Sequence, residues 1–157
     1  MSTIEISKAG NVMRDKVLKY ELYIIASILL VLVFKYTKIP FSGTINLLVL
    51  SVIAIIYFFS AFQENKEVNV TPTDQFFIKL CGISSSITII GILFSSQKYP
   101  GDGNMLFIGA FTLILTLGYI IIQKNKRVEF NIFGKFLLYR IITLILIALG
   151  MFLDKII

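Results

Sequence analysis

The chain has 157 residues, of which 57% are apolar and 15% charged, and its formal net charge is +6. A soluble domain of this size cannot bury so large an apolar fraction, because part of every surface helix must face water. There is no histidine and only one cysteine, Cys81, which excludes histidine-based acid–base chemistry, histidine-ligated metal sites and an intramolecular disulfide. The composition predicts an all-α, polytopic integral membrane protein, and we expect neither enzymatic activity nor a cofactor or metal.

Five apolar runs follow one another along the chain, and nearly all charges lie at the edges of these runs. A helix needs roughly 17 to 25 residues to cross a hydrocarbon core about 30 Å thick, and four of the runs are about 18 residues long. The first run reaches this length if it continues past Lys35 to Ile39, with the lysine extended to the headgroups. We therefore predict about five transmembrane helices. The runs are 22–34, 45–62, 76–94, 105–122 and 136–153.

We expect residues 1–157 to form a single transmembrane domain. The N-terminal segment has Ile6, Met13 and Val17 on one side at helical spacing, which is typical of a helix lying on a membrane surface. The predicted parts, in chain order, are a cytoplasmic amphipathic segment (1–20), a first hairpin (21–62), a cytoplasmic loop (63–76), a second hairpin (77–122), a basic cytoplasmic loop (123–134) and a fifth helix with the C-terminus (135–157).

Positive charge is distributed unevenly between the predicted loops. With a cytoplasmic N-terminus and five crossings, 11 of the 15 Lys and Arg residues lie on the inner side. The outer side then holds only Lys35, Lys38, Lys98 and Lys155. Because Lys and Arg are enriched on the cytoplasmic side of membrane proteins, we expect the N-terminus inside and the C-terminus outside. The positive inner side would contact anionic lipid, and nucleic acid is not an expected partner.

The amino-acid usage also bears on the source of the membrane. The chain lacks histidine and tryptophan and is rich in Ile, Lys, Phe and Asn, which is typical of an AT-rich bacterial genome. We therefore expect the bacterial cytoplasmic (inner) membrane to be its location, with the lipid bilayer as its surroundings.

The chain nearly repeats itself at a separation of 60 residues. Each unit consists of a helix, a Phe-x-x-x-Lys-x-Pro-x-x-Gly turn and a second helix, in which proline ends the first helix and glycine allows a tight turn. Because two crossings return the chain to the same side, the units would be parallel hairpin repeats, with the fifth helix as an extra element. Coincidence between two short turns is the alternative. The matching pairs are Lys19 and Lys79, Phe34 and Phe94, Lys38 and Lys98, Pro40 and Pro100, and Gly43 and Gly103.

The two turns resemble part of a known family. Segments 34–40 and 94–101 are similar to a hairpin ending in His-Trp-Pro-Gly, found in the two-helix membrane segment of the gliding-motility and type IX secretion motor stator protein. Residues 57–62 resemble the end of that family's second helix, so the resemblance covers both hairpins, about half of the chain. The family's membrane glutamate is replaced here by Ile53 and Leu113, and its histidine–tryptophan pair and coiled coil are absent. The resemblance therefore implies hairpin geometry without motor activity.

The charged residues nearest to the runs suggest little chemistry. All nine acids lie in predicted loops or at helix ends, so a proton relay, which needs Asp, Glu or His at depth, is not expected. Arg140 lies about one turn inside the fifth run, where it extends to the inner surface, pairs with Asp74 or Glu129, or contacts a lipid phosphate. Cys81 has no histidine to activate it and is expected to be a small buried apolar residue.

The most polar stretch inside a predicted helix consists of Ser84, Ser85, Ser86 and Thr88, close to Gly82. Serine and threonine bond to the carbonyl groups of their own helix, and small residues allow helices to approach closely, so we favour helix packing for this stretch. Lining of a polar passage is the alternative.

Three functions remain open on these grounds. The favoured one is a small non-enzymatic membrane protein that acts through helix–helix contacts with a partner, either another membrane protein or a second copy of the chain. An accessory subunit and an immunity-type protein that blocks a membrane toxin are examples. The alternative is a minimal channel or transporter built on the parallel repeats, with the serines along the path and Lys35, Lys38 and Lys98 at its outer mouth. An enzyme acting on lipid, with Asp74, Asp102 or Glu129 as its acid or base, ranks third.

Overall fold

The structure is a computed structural model that describes residues 20–33, 41–62, 71–126 and 134–154. Within these ranges the chain is helical and contains no strand, so the predicted all-α class is confirmed. The amphipathic segment before residue 20, the turn residues Lys38 and Pro40, and most of the two predicted cytoplasmic loops lie outside the described residues. The helices are α1 (Tyr20–Val33), α2 (Ser42–Ser60), α3 (Pro72–Gln97), α4 (Asp102–Lys126) and α5 (Gly134–Leu153).

Three of the five helices are long and apolar enough to cross a membrane. They are α2 and α3 over their whole lengths, and α4 from Asp102 to Gln123. The apolar stretches described for the other two, Tyr20–Val33 and Leu137–Leu153, are shorter. Large apolar side chains such as Phe59 and Leu146 are more than 60% exposed, as expected of surfaces that face lipid. The membrane character predicted from composition is therefore confirmed for the three central helices.

Helix α3 occupies the middle of the bundle and packs against α2, α4 and α5. In its membrane-length window 56% of the residues are buried, compared with 28% in α2 and 33% in α4. The sequence favours this central position because small residues let neighbouring helices approach closely. A Cβ atom at Gly82 would lie 2.7 Å from Ala61 Cβ, and one at Gly91 would lie 2.9 Å from the Leu106 backbone nitrogen.

The first turn of α3 is closed by a capping box. The Asp74 N–H donates to Thr71 Oγ1 (3.2 Å), while the Thr71 N–H donates to Asp74 Oδ2 (3.0 Å). Pro72 occupies the first position of the helix, where the missing N–H removes no hydrogen bond of the helix. This cap begins α3 ten residues before Gly82, which packs beside the end of α2. As a result, α3 extends about 15 Å past the end of α2.

The turns before α2 and α4 have similar backbone geometry. Phe41 precedes α2 with φ 67°, and Gly101 precedes α4 with φ 87°. At the end of α3, Lys98 is also left-handed (φ 58°), and the Tyr99 N–H donates to the Phe94 carbonyl at 2.9 Å. Left-handed residues at these positions reverse the chain within a few residues, although only Gly101 does so without steric cost.

Helices α1 and α2 run antiparallel and are joined by polar contacts. In the amide orientation that satisfies its surroundings, the buried Asn46 side-chain nitrogen lies 3.2 Å from the Val31 carbonyl oxygen and 3.1 Å from that of Ser42. At the other end of the pair, Tyr57 contacts Glu21. Asn46 therefore bonds across to the neighbouring helix as well as within its own.

Candidate functional site

Four polar side chains converge inside the bundle from four different helices. Glu21 comes from α1, Tyr57 from α2, Cys81 from α3 and Arg140 from α5. Glu21, Tyr57 and Cys81 are fully buried, and Arg140 is 4% exposed. A buried charge is costly unless it is paired and hydrogen-bonded, so this arrangement has to be explained by the contacts within it.

Arg140 contacts each of the other three members of this charged cluster. The Tyr57 hydroxyl donates to Glu21 Oε1 at 2.7 Å, and Arg140 Nε lies 3.5 Å from the same oxygen. The Arg140 guanidinium carbon lies 4.5 Å from the centre of the Tyr57 ring, and Arg140 Nη2 donates to Cys81 Sγ at 3.8 Å. A cation over an aromatic face is stabilised by the ring quadrupole, so Tyr57 contacts both charges of the pair.

Two atoms of the cluster lack a hydrogen-bond partner in the described part of the chain. They are Glu21 Oε2 and Arg140 Nε, both buried. The 3.5 Å separation between Arg140 Nε and Glu21 Oε1 gives an ion pair without a well-formed hydrogen bond. The guanidinium therefore does not form the two-pronged pair that arginine and a carboxylate commonly adopt.

The cluster lies inside the bundle near the end of α2. Tyr57 precedes Ala61, the C-cap of α2, by four residues, which corresponds to about 6 Å along the helix. Cys81 is the tenth residue of α3 and Arg140 the seventh of α5. Glu21 is the second described residue of α1, and it is fully buried in contact with Tyr57 and Arg140.

Two sequence interpretations need correction at this point. The acids were expected in loops or at helix ends, with none at depth. Glu21 does lie near the start of the described part of α1, but it is fully buried against Tyr57 and Arg140, so the second part of that expectation is wrong. The interpretation that Arg140 extends to the membrane surface is also wrong, because its side chain is 5% exposed and is paired with Glu21. An ion pair was among the alternatives for Arg140, but Glu21 was not named as its partner.

Cys81 is buried and unpaired to another cysteine, as expected for a lone thiol in an apolar helix. Its contact with the Arg140 guanidinium was not predicted, because the local sequence around either residue gives no sign of the other. One signal was present: a charge inside an apolar run requires a counter-charge at the same depth. Tyr57 and Glu21 lie at adjacent ends of one predicted hairpin and satisfy that requirement.

The serine stretch faces the interior of the bundle. Ser84, Ser85, Ser86 and Thr88 are all at most 5% exposed. Ser85 Oγ donates to the Cys81 carbonyl (2.7 Å) and Thr88 Oγ1 to the Ser84 carbonyl (2.8 Å), both within α3. Helix packing accounts for these contacts, together with the close approach of Gly82 to Ala61 and of Gly109 to Thr88. A polar path along the same residues stays a prediction.

The described turn residues lie at one end of the bundle. Lys98 caps α3, Pro100 follows it, and Gly103 lies in the first turn of α4, where a Cβ atom would meet nothing within 4 Å. Gln97 Nε2 donates to the Gly43 carbonyl at 2.6 Å, which brings the start of α2 to the end of α3. Gly101, which has the positive φ, is therefore the glycine that the second turn requires.

A second group of polar side chains lies at the end of the bundle opposite to these turns. Asp74, fully buried at the start of α3, accepts from the Tyr119 hydroxyl of α4 at 2.7 Å. Gln123 Nε2 donates to Tyr119 at 3.2 Å, and the ring of Phe77 stacks on that of Tyr119 at 3.7 Å. These contacts join the start of α3 to the end of α4. Among the described residues no group of three or more His, Cys, Asp or Glu side chains has the geometry of a metal site.

Comparison of the chain with protein-family models, with curated protein sequences and with solved structures gives no match. The resemblance to the motor stator hairpin therefore stays a prediction from sequence.

Proposed function

We propose that the chain crosses the membrane five times as two parallel hairpins followed by α5. The turn geometry supports this architecture, because Phe41 and Gly101, the two positive-φ residues before α2 and α4, are 60 residues apart. The two helices that follow begin at Ser42 and Asp102, again 60 residues apart. The Gln97–Gly43 hydrogen bond supports the parallel arrangement, because it brings the two turns to the same end of the bundle.

The contacts within the two hairpins support the repeat independently. In the first hairpin Asn46 meets the Val31 carbonyl, and in the second Leu106 meets Gly91. Adding 60 to each member of the first pair gives the second pair, so the two hairpins share one antiparallel register. The charged cluster contains a further pair of positions that are 60 residues apart. They are Glu21 and Cys81, and Arg140 contacts both.

For function, we propose a non-enzymatic protein of the bacterial cytoplasmic membrane that acts through helix–helix contacts with a partner protein. The observation that carries this proposal is an apolar groove of about 190 Å³ between α4 and α5. Its lining contributes no polar surface, so it suits an apolar side chain of a neighbouring membrane helix. The lining residues are Leu106, Phe107, Ala110, Phe111, Ile114, Ala148, Leu149 and Phe152.

A photo-crosslinking amino acid in the groove tests this proposal in native membranes. With the crosslinker at Phe111 or Leu149, we expect one protein adduct of defined mass, identified by mass spectrometry. Ile55 on α2, which is similarly exposed but outside the groove, is the matched control and should give no such adduct. Adducts with lipid alone from Phe111 and Leu149 would contradict the partner proposal, while adducts with a second copy would identify a homo-oligomer.

The channel or transporter alternative has less support from the described contacts. Its path would need hydroxyl groups that face water, whereas Ser85 and Thr88 donate to carbonyl groups of their own helix and are fully buried. Solute flux in proteoliposomes that disappears on Ser84→Leu would favour the alternative over the partner proposal.

A further inference from the structure

The ion pair between Glu21 and Arg140 contains one acceptor and one donor that are not used. In the described part of the chain Glu21 Oε2 accepts no hydrogen bond and Arg140 Nε donates none, although both atoms are buried. The two atoms belong to directly paired groups, because Nε lies 3.5 Å from Oε1 of the same carboxylate. A buried ion pair offsets its desolvation only when further hydrogen bonds satisfy its remaining lone pairs and protons. An additional group is therefore required beside this pair.

The other contacts of the cluster keep the two side chains from satisfying each other. The Tyr57 hydroxyl donates to Oε1 at 2.7 Å and so fixes the orientation of the carboxylate. Arg140 Nη2 donates to Cys81 Sγ at 3.8 Å, and the guanidinium carbon lies 4.5 Å from the centre of the Tyr57 ring. A two-pronged pair would turn the guanidinium toward both carboxylate oxygens and draw it away from Cys81 and the ring.

The neighbouring donors in the described ranges are engaged elsewhere. The Tyr57 hydroxyl is used on Oε1, and Arg140 Nη2 is used on Cys81. One turn further along α3, Ser85 Oγ donates to the Cys81 carbonyl at 2.7 Å. The group that completes the pair is therefore a bound molecule and not one of these side chains.

The chemistry of the two unused atoms restricts what that molecule is. It has to accept a hydrogen bond from Arg140 Nε and donate one to Glu21 Oε2. A metal cation cannot accept, and an anion such as chloride cannot donate. A water molecule does both, and buried waters commonly make about three hydrogen bonds to polar groups that would otherwise lack a partner. The cluster lies about 6 Å from the C-cap of α2, so water has a short path to it from that end.

We propose that the buried ion pair binds one water molecule, which accepts from Arg140 Nε and donates to Glu21 Oε2. Both ions keep their charges, and the water completes the hydrogen bonds that join α1 to α5. Glu21 is fully buried and Arg140 is 4% exposed, so the site does not admit the hydroxyl group of a lipid headgroup. The site is separate from the apolar groove, which is lined by other residues of α4 and α5, and does not depend on a partner protein.

A crystal structure of the full chain, at a resolution that shows ordered water, tests the proposal. We expect a density peak about 2.7–3.2 Å from Arg140 Nε and about 2.5–3.0 Å from Glu21 Oε2. The double variant Glu21→Leu/Arg140→Met has neither atom and should lack the peak. Three outcomes would overturn the proposal: a two-pronged pair without the peak, an ion identified there by anomalous scattering, or the same peak in the double variant.

Nuclear magnetic resonance in micelles tests the same contact without a change to the cluster. The chain has three arginines, so Arg14→Lys/Arg127→Lys leaves the Nε–H signal of Arg140 alone in a sample with isotope-labelled arginine. This signal should show a dipolar cross-peak to water. The backbone N–H of Ile92, which is fully buried in α3 away from the cluster, is the control and should show none. The absence of a water cross-peak from Arg140 would contradict the proposal.

Discussion

Arg140 illustrates how a single side chain depends on its partners in this molecule. An arginine within a membrane helix is unfavourable by about 2.5–3.5 kcal/mol on insertion scales, and more when it cannot reach water. Here its side chain is 5% exposed, so the compensation has to come from Glu21, Tyr57 and Cys81. Loss of either member of the pair would leave an unpaired buried charge.

We predict strong coupling between Glu21 and Arg140 in a double-mutant cycle. Glu21→Leu and Arg140→Met should each lower the free energy of unfolding by about 3–5 kcal/mol, because each leaves one buried charge alone. The double variant should recover most of this loss, because no unpaired charge remains. The measurement is reversible unfolding in mixed micelles. Lys98→Met, in the exposed turn between α3 and α4, is the control and should change little. Additive losses in the double variant would contradict the coupling.

At the level of the helices, the small residues of α3 determine how close its neighbours lie. A Cβ atom at Gly82 would lie 2.7 Å from Ala61 Cβ and 2.9 Å from Ala61 Cα. The second of these atoms is backbone, so relief requires movement of α2 relative to α3. A Cβ atom at Gly118 in α4 would have no atom within 4 Å, so Gly118 provides a matched comparison.

We predict opposite outcomes for these two glycines. Gly82→Ala should lower the free energy of unfolding by about 1–3 kcal/mol, because overpacking forces the helices apart. Gly118→Ala should leave it unchanged or raise it by up to about 1 kcal/mol, because alanine restricts the unfolded chain and meets no neighbour. Unfolding of the two variants under one condition measures the difference, and equal effects would show that Gly82 is not a packing constraint.

The helices were predictable from sequence because apolar runs between charges define them almost completely. Each of the five runs corresponds to one helix to within a few residues. The burial of Glu21 was not predictable from its own run, since it depends on the contacts with Tyr57 of α2 and Arg140 of α5, which only the packed bundle provides.

The candidate site was predictable in part. Arg140 was recognisable as a charge inside an apolar run, and Cys81 as a buried thiol, because both inferences need only local sequence. Their contact joins residues 59 positions apart, and the pair with Glu21 joins residues 119 positions apart. Contacts at such separations follow from the assembled bundle, which no local pattern of the chain specifies.

At the scale of the whole molecule, α5 connects α1 to α3. Glu21 lies on α1 and Cys81 on α3, and the guanidinium of Arg140 contacts both. The proposed five crossings place the turn at Lys98 and the end of α5 on the outer side, and the start of α3 on the inner side.

This topology predicts the labelling of single introduced cysteines by a membrane-impermeant maleimide. Lys98→Cys and Asp154→Cys should react in intact cells, whereas Gln75→Cys should react only after the membrane is opened. All three positions are exposed, and the native Cys81 is buried and should not react. Reaction of Gln75→Cys in intact cells, or protection of Asp154→Cys there, would rule out five crossings with an internal N-terminus.

The ion pair between the first and the last helix also constrains how the protein is made. Glu21 is synthesised 119 residues before Arg140, which at about 5–20 residues per second is a delay on the order of ten seconds. During this time the nascent chain carries an acid whose counter-charge does not yet exist. Chains truncated before α5 would keep that defect permanently, which would mark them for recognition by membrane quality-control proteases.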